Sequence, residues 1–416
     1  MPSPTTAPAR RFDPARFETF RFAGRRFEHD TAVLEYALDD EVRFVERIRF
    51  PGADGEHSEA LLELLHLVAG VSYYKVAAPP VVEAAASPLV RALYVEGLGE
   101  FAYVNGIDLA AHVRFEGHGP PPAAEPEVLA LRRRTAVPIG GGKDSIVTLE
   151  TLRAAGEPLV AFSVGNPEPV RRTVAVAGVP HVVVERELSP NLAELNAAGA
   201  LNGHVPITAV VSAIACFAAP LYGFDAIAMS NERSASEGNL VWNGREVNHQ
   251  WSKGIEFERL MRDELARRAP GLEWFSFLRP WSELAIARSF ARLEGYDYAF
   301  TSCNSVFVRD PVRRGTGWCG DCPKCRFVFL VLAPWMERER LVRIFGRDLL
   351  ADPAQADGFA ELAGRGAHKP FECVGEKAES AAAMRLLSGG DATPFLDPSP
   401  EHCIPERFEA VARALR

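Results

Sequence analysis

Lysine is scarce in this chain: six of its 46 basic residues are lysines, namely Lys75, Lys143, Lys253, Lys324, Lys369 and Lys377. Charge alone is served by arginine here, so each lysine position calls for a chemical reason. Positive charge is not in surplus either. With 46 Lys and Arg against 55 Asp and Glu, the net charge is −9, which argues against a bulk electrostatic grip on nucleic acid or a membrane surface. The N-terminal MPSPTTAPARRFDPARF lacks an apolar core, so no secretory signal is expected and the protein is placed in the cytoplasm with reduced thiols. The longest uncharged stretch, Val205 to Phe224, is interrupted by Pro206, Thr208, Ser212 and Pro220; it predicts a buried helix rather than a membrane span. No GxxxxGK[ST] is present, and the glycine run at Gly140 to Gly142 lacks GxGxxG spacing. What the chain does have is 416 residues, 47% of them hydrophobic, enough for two or three domains of about 150 residues whose cores need no disulfides. Its seven cysteines are free for other chemistry.

The three consecutive prolines within Gly117 to Glu127 mark a stiff connector. We divide the chain there into an N-terminal α+β domain (1–120), a catalytic α/β domain (121–346) and a helical appendage (347–416). In the first, Ala32 to Ala37 and Val42 to Phe50 read as strands and Glu59 to Val71 as a helix. In the second, TAVPI, LVAFSV, HVVVE, DAIAMS and YAFTS alternate with helical segments beginning near Asp144, Pro169, Thr208 and Glu256. That alternation predicts a parallel, Rossmann-like sheet with right-handed crossovers. Further helices are expected near Glu376 to Leu387 and Glu406 to Leu415.

Strand Thr135–Ile139 runs directly into Gly140, Gly141, Gly142, Lys143, Asp144 and Ser145, and then into a helix. Glycines at a strand's C-terminal end let backbone N–H groups and a helix N-terminus converge on an anion. A carboxylate beside such a cradle has a purpose if Asp144 coordinates Mg2+ on a bound pyrophosphate; the plainer reading makes Asp144 only a helix cap. Downstream, Cys319, Cys322 and Cys325 stand at CxxCxxC spacing, which favours Zn2+ in a reducing compartment. Cys303 is the first choice for the fourth ligand, with His368, Cys373, His402 and Cys403 in reserve. Cys216 reads as core.

Between these motifs lie Ser230-Asn231-Glu232-Arg233-Ser234-Ala235-Ser236 and, after an Asn243-Gly244 turn, Asn248-His249-Gln250-Trp251-Ser252-Lys253. Polar residues after a parallel strand line the crevice where such folds bind ligands. Glu232 is a candidate metal or ribose ligand, Lys253 a phosphate or carboxylate partner, and His249 a general acid or base. Arg279 starts a helix and is a second candidate for an anionic ligand. In the first domain, His66 to Lys75 and Gly97 to Gly106 combine glycines, paired tyrosines and a rare lysine. One of the rings of Tyr73 and Tyr74 is expected in the core and the other at the surface.

Gly-Gly-Gly-Lys-Asp-Ser resembles the SGGxDS signature of PP-loop (adenine nucleotide alpha hydrolase-like) ATP pyrophosphatases, with Gly140 in place of the first serine. The resemblance implies ATP cleavage between the α and β phosphates, transfer of AMP to an acceptor oxygen, and ribose and adenine near Ser163 and the segment that follows it, with Asn231 also on the nucleotide. Cys303 followed by CxxCxxC resembles the zinc site of 7-cyano-7-deazaguanine synthases. In their order, HLVAGVSYYK, GGGKDS, SNERSAS, NHQWSK and CGDCPKC resemble the UDP-N-acetyl-α-D-muramoyl-L-alanyl-L-glutamate epimerase (MurL) family. That family implies inversion of the terminal glutamate of UDP-N-acetylmuramoyl-L-Ala-L-Glu through an acyl-adenylate, with ATP and Mg2+ consumed and used and AMP and diphosphate released. His249, Lys253 and Glu232 are then candidates for proton transfer and carboxylate binding. The alternatives are another adenylating PP-loop enzyme, 7-cyano-7-deazaguanine synthase-like or tRNA-modifying, and a zinc-stabilised nucleotide-binding protein without turnover.

Overall fold

The computed structural model describes residues 11–117, 126–308, 312–365 and 369–415. Twelve strands occur among them: β1 (Thr19–Glu28), β2 (Thr31–Leu38), β3 (Val42–Arg49), β4 (Val81–Glu83), β5 (Arg114–Phe115), β6 (Thr135–Pro138), β7 (Leu159–Val164), β8 (His181–Glu187), β9 (Ala226–Met229), β10 (Leu240–Trp242), β11 (Arg245–Val247) and β12 (Glu273–Ser276). Ten of these form one sheet in the order β12-β9-β6-β7-β8-β3-β2-β1-β4-β5, and β10 with β11 makes a separate hairpin.

The half from β12 to β8 is parallel throughout. Its side chains alternate between two apolar cores, one on each face: Ala136, Val160, Phe162 and Ile227 point to one, Val137, Ala161, Ala226 and Ala228 to the other. A strand covered on both faces has no polar side to show, which is why these segments read as continuous apolar runs. From β6 the chain winds outward to β7 and β8, then returns to place β9 on the opposite side of β6. The strand order therefore reverses between β6 and β9, and a crevice opens at their C-terminal ends.

The other half is an antiparallel meander, β1-β2-β3, extended by β4 and β5. Antiparallel pairing of β3 with β8 makes the sheet continuous from the first region into the second. A buried ion pair holds this seam. Glu46 on β3 is fully buried, accepts from Arg186 Nε on β8 at 2.7 Å, and the same guanidinium donates to Ser72 Oγ at 3.0 Å. Helix Glu59–Ala69 packs on helix Ile207–Tyr222, and the turn before it comes so close that a Cβ at Gly55 would lie 2.1 Å from Pro220 O.

Several expectations need revision. Tyr298–Ser302 is not a strand: β12 takes the position beside β9, and the segment instead crosses the C-terminal edge of the sheet, where Thr301 N donates to Gly141 O at 2.9 Å. Both Tyr73 and Tyr74 are buried, because their short helix is enclosed on both sides. Tyr73 stacks on Tyr36 while Tyr74 meets Tyr94 edge-on. The region after Asp348 is built into the body of the protein: Phe408 packs on Phe275 of β12 at 4.8 Å, and Trp281 Nε1 donates to Ala412 O at 2.8 Å. Most of the connector, residues 118–125, lies outside the described residues, as does His368. The apolar helix Ile207–Tyr222 and Cys216 within it are buried, and no helix among the described residues is long and apolar enough to cross a membrane.

Removing one member of a buried ion pair strands the other charge. Glu46→Ala should therefore lower the unfolding free energy by roughly 3–5 kcal/mol in denaturant melts; a loss below about 1 kcal/mol, the scale of a surface pair, would show that the seam does not depend on it.

Candidate active site

The loop after β6 forms one wall of the β6/β9 crevice. Gly142 caps helix Lys143–Ala154 without any side chain, so the first-turn N–H groups face the loop unclaimed by a capping oxygen. Gly141 has φ +85°, and a Cβ there would lie 2.6 Å from Pro169 Cβ; only glycine both adopts this conformation and fits the space. Ser145 Oγ donates to Gly142 O at 3.1 Å. Lys143 is buried and its ammonium pairs with both Asp144 and Glu283. Burial alone would push that ammonium down, but the two carboxylates hold it above its ordinary value. Glu283 is itself set by Glu379, whose Oε1 accepts Glu283 N at 3.0 Å.

Together these elements enclose a cavity of about 400 Å³, lined by Gly140, Gly142, Asp144 and Ser145 from the loop, Ser163 near the end of β7, Ser230 and Asn231 after β9, and Lys253 and Lys324. Ser163 Oγ donates to Gly165 O (2.8 Å) and accepts from His181 Nε2 (2.9 Å). Asn231 Nδ2 donates to Ser276 Oγ on β12 at 3.0 Å, and Glu232 is buried beside it.

Arg279 does not reach into this cavity. Its donors go to protein acceptors: Nε to Glu258 Oε2 (2.9 Å), Nη1 to Glu232 O (2.6 Å) and Nη2 to Lys253 O. It fixes the backbone of two site loops rather than offering a hand to a ligand. The second of these loops follows the β10-β11 hairpin, whose Asn243 and Gly244 both have positive φ, +49° and +74°, the two-residue turn that suits strand twist. Lys253 is half-buried near Cys373, Glu232 and Asp144; burial opposes its charge, yet these neighbours raise it above the ordinary lysine value. The ammonium is therefore a permanent cation in the site.

His249 pairs through Nδ1 with Glu100, which comes from the first-domain Gly97–Gly106 motif. His204 lies against the same ring, with centroids 4.2 Å apart. Burial pushes His204 down to about 4, with the neighbouring His249 charge adding to it. His249 goes the other way: burial lowers it, but hydrogen bonds with Cys373 and Glu100 lift it to about 9. Sequence reading left Cys373 among the reserve zinc ligands. In the folded chain it lies near His249 and Lys253, and no motif spacing around it signals this. Lys75 stands behind the site, where its Nζ donates to Asn202 Oδ1 at 2.6 Å and burial lowers it to about 8.

Cys303, Cys319, Cys322 and Cys325 come together with their sulfurs within 4.8 Å of one another. The Cys303–Cys322, Cys319–Cys325 and Cys322–Cys325 separations are 3.9, 3.7 and 3.5 Å. Four converging thiols match the donor set and geometry that Zn2+ takes. The cluster also adjoins the glycine loop, because Thr301, two residues before Cys303, donates its N–H to Gly141 O. Cys373, His402 and Cys403 stand outside this cluster.

Two family models match the chain: MurL N-terminal domain over residues 11–277 and MurL C-terminal domain over residues 299–393. The chain belongs to the MurL family. It is 49% identical over 397 residues to a Salinispora tropica protein (89% of this chain, 85% of that one), and 49% identical over 399 residues to one from Micromonospora sp. (90% and 88%). A Xanthomonas oryzae pv. oryzae relative is 47% identical over 397 residues (91% and 87%). All three are named UDP-N-acetyl-alpha-D-muramoyl-L-alanyl-L-glutamate epimerase. For a MurL family member the first-domain motif is then no bystander, since Glu100 reaches the histidine of NHQWSK.

Gly141→Ala should collapse the cradle. A side chain at that positive φ costs about 1–3 kcal/mol before the Pro169 overlap is counted, so we expect a lower melting temperature together with loss of pyrophosphate binding by calorimetry. Wild-type pyrophosphate affinity in this variant would refute the cradle.

Proposed function

We propose that this protein inverts the terminal glutamate of UDP-N-acetylmuramoyl-L-Ala-L-Glu from L to D in peptidoglycan precursor synthesis, driven by ATP through an acyl-adenylate. The observation that carries this reading is the placement of the glycine cradle and a permanently charged lysine, Lys253, on walls of one cavity at the switch point, in a chain 47–49% identical to relatives named for that epimerisation. We read the parallel half as a PP-loop, adenine nucleotide alpha hydrolase-like domain on the basis of the loop sequence and its position after the first parallel strand.

The chemistry explains the need for ATP. The α-proton beside a carboxylate is very weakly acidic, because its removal would place a second negative charge on the same group. Converting that carboxylate to an acyl-adenylate removes the first charge and lets the carbonyl accept the electron pair. Gly140 to Ser145 hold the leaving pyrophosphate through backbone N–H groups, Ser163 and Asn231 face the nucleoside, and Lys253 meets the substrate carboxylate or the α-phosphate. Asp144 would hold Mg2+, with Glu232 close by, and the ion would neutralise phosphate charge. Proton transfer at the α-carbon, then hydrolysis of the adenylate, yields the D-product, AMP and diphosphate. His249 at about 9 is protonated at neutral pH, as is Lys253; both suit stabilisation of developing negative charge rather than proton abstraction.

The purified protein should release pyrophosphate and AMP only when both ATP and UDP-N-acetylmuramoyl-L-Ala-L-Glu are present, with solvent deuterium entering the glutamate α-position. AMP without deuterium would favour a different adenylating enzyme, and no turnover at all would favour a nucleotide-binding protein. The four thiols should carry about one zinc ion per chain. Cys322→Ser should then lose zinc and melt at lower temperature, whereas an unchanged melt with no zinc in the wild type would remove the metal from this account.

A further inference from the structure

We propose that Cys373 is the base that removes the glutamate α-proton, acting as a thiolate held between His249 and Lys253. This rests on the epimerase reading above and adds to it the group that performs the proton transfer.

The position of Cys373 is built rather than incidental. The segment from Lys369 to Val374 is strapped to the loops that carry Glu232, His249 and Cys303 by side chains next to them. Lys369 Nζ meets Glu237 Oε2 at 3.0 Å, Asn239 Nδ2 donates to Pro370 O at 2.7 Å, Asn304 Nδ2 donates to Glu372 Oε1 at 2.7 Å, and Gln250 Nε2 donates to Val374 O at 3.2 Å. The residues on both sides of Cys373 are therefore anchored, and the bond from Gln250, which stands between His249 and Lys253 in the chain, to Val374 O keeps Cys373 near enough to both for their charges to act on its thiol. Lys253 and Lys324 also line the nucleotide cavity. An acyl group joined to a phosphate in that cavity is brought to the Lys253 wall, where Cys373 stands.

Charge assigns the role. Lys253 and His249 hold their protons and have no lone pair to offer. His204, neutral, sits beyond His249 against Glu100. Burial would raise the Cys373 thiol, but Lys253, His249 and Lys324 lower it to about 6, so a thiolate persists at neutral pH with Glu100 behind His249 balancing the cluster. The sulfur lone pair takes the α-proton: the S–H bond forms, the Cα–H bond breaks, and the electron pair moves into the adenylated carbonyl as an enolate facing Lys253. Inversion is completed when the enolate carbon receives a proton from a solvent-exchangeable donor on its opposite face, and Cys373 then returns its proton to solvent.

The test uses full-length protein with Mg2+, ATP and UDP-N-acetylmuramoyl-L-Ala-L-Glu in deuterium oxide. Cys373→Ser should still convert ATP to AMP, while α-deuterium incorporation and D-glutamate formation fall by about 10²–10⁴-fold, the range of general acid–base catalysis. Wild-type deuterium incorporation in this variant overturns the proposal while leaving the epimerase reading intact. A wild type that forms AMP without deuterium overturns both. Independently of how the variant folds, iodoacetamide labelling of Cys373 in the wild type, mapped by mass spectrometry, should abolish deuterium incorporation and be blocked by the two substrates together. The labelling rate should be high above pH 6 and fall as pH drops through about 6. A labelling midpoint near the ordinary thiol value of about 8.5, or labelling that leaves incorporation intact, also overturns it.

Discussion

The Arg279–Glu258 pair sits at the point where three segments of the site are tied together. The guanidinium is almost fully buried, and a buried cation without partners would destabilise the fold by several kcal/mol. Its donors are instead taken by Glu258, by the carbonyls of Glu232 and Lys253, and by Ser276 Oγ at 3.3 Å. Glu258 also accepts Ser276 N on β12 at 2.9 Å, and Ser276 in turn accepts from Asn231. One ion pair thus fixes the end of β12, the loop after β9 and the loop after the hairpin in a single network. A network of this kind is rigid only when all its members are satisfied. The site lysine and site glutamate are held through their backbone carbonyls, so the clamp itself takes up neither side chain.

The acidic balance of the chain gains a local meaning from this arrangement. Arginines dominate the surface pairs, such as Arg49–Glu185 and Arg16–Glu41. Lysines 143, 253 and 324 gather at the cavity or its loop. A compact ammonium on a flexible stem fits a point contact with phosphate or carboxylate where a planar guanidinium would need a matched bidentate partner. Concentrating cations in a low-dielectric crevice makes each count for more than it would on the surface.

The far end of the chain closes the same site from outside. Helix Lys377–Leu387 brings Glu379 under Glu283, and so under Lys143 of the cradle. The segment before that helix carries Cys373. The cysteine cluster presses Thr301 and Ser302 against the glycine loop from a third direction. The glycine-loop cavity, a thiol cluster and a C-terminal strap are therefore parts of one mechanical unit, although together they span more than two hundred residues of sequence.

What the sequence determined by itself is local. Three glycines after a short apolar strand, Asn-Gly between two polar segments, and thiols spaced by two residues each impose their geometry over a few residues, because backbone sterics and short loops act at that range. The glycine loop after a strand, the Asn243-Gly244 turn and the CxxCxxC turn were legible for this reason, and so was the alternation of strands and helices. Only the tertiary structure decided which distant residue joins which. Cys303 rather than Cys373 meets the three clustered thiols, Glu100 crosses 149 residues to His249, and YAFTS has strand composition but lies across the sheet edge instead of in the ladder. Arg279 looked like a ligand contact and became a clamp, and both Tyr73 and Tyr74 are interior. The protonation of His249, Lys253 and Cys373 depends on burial set against the charges around them, and neither exists until the chain has folded.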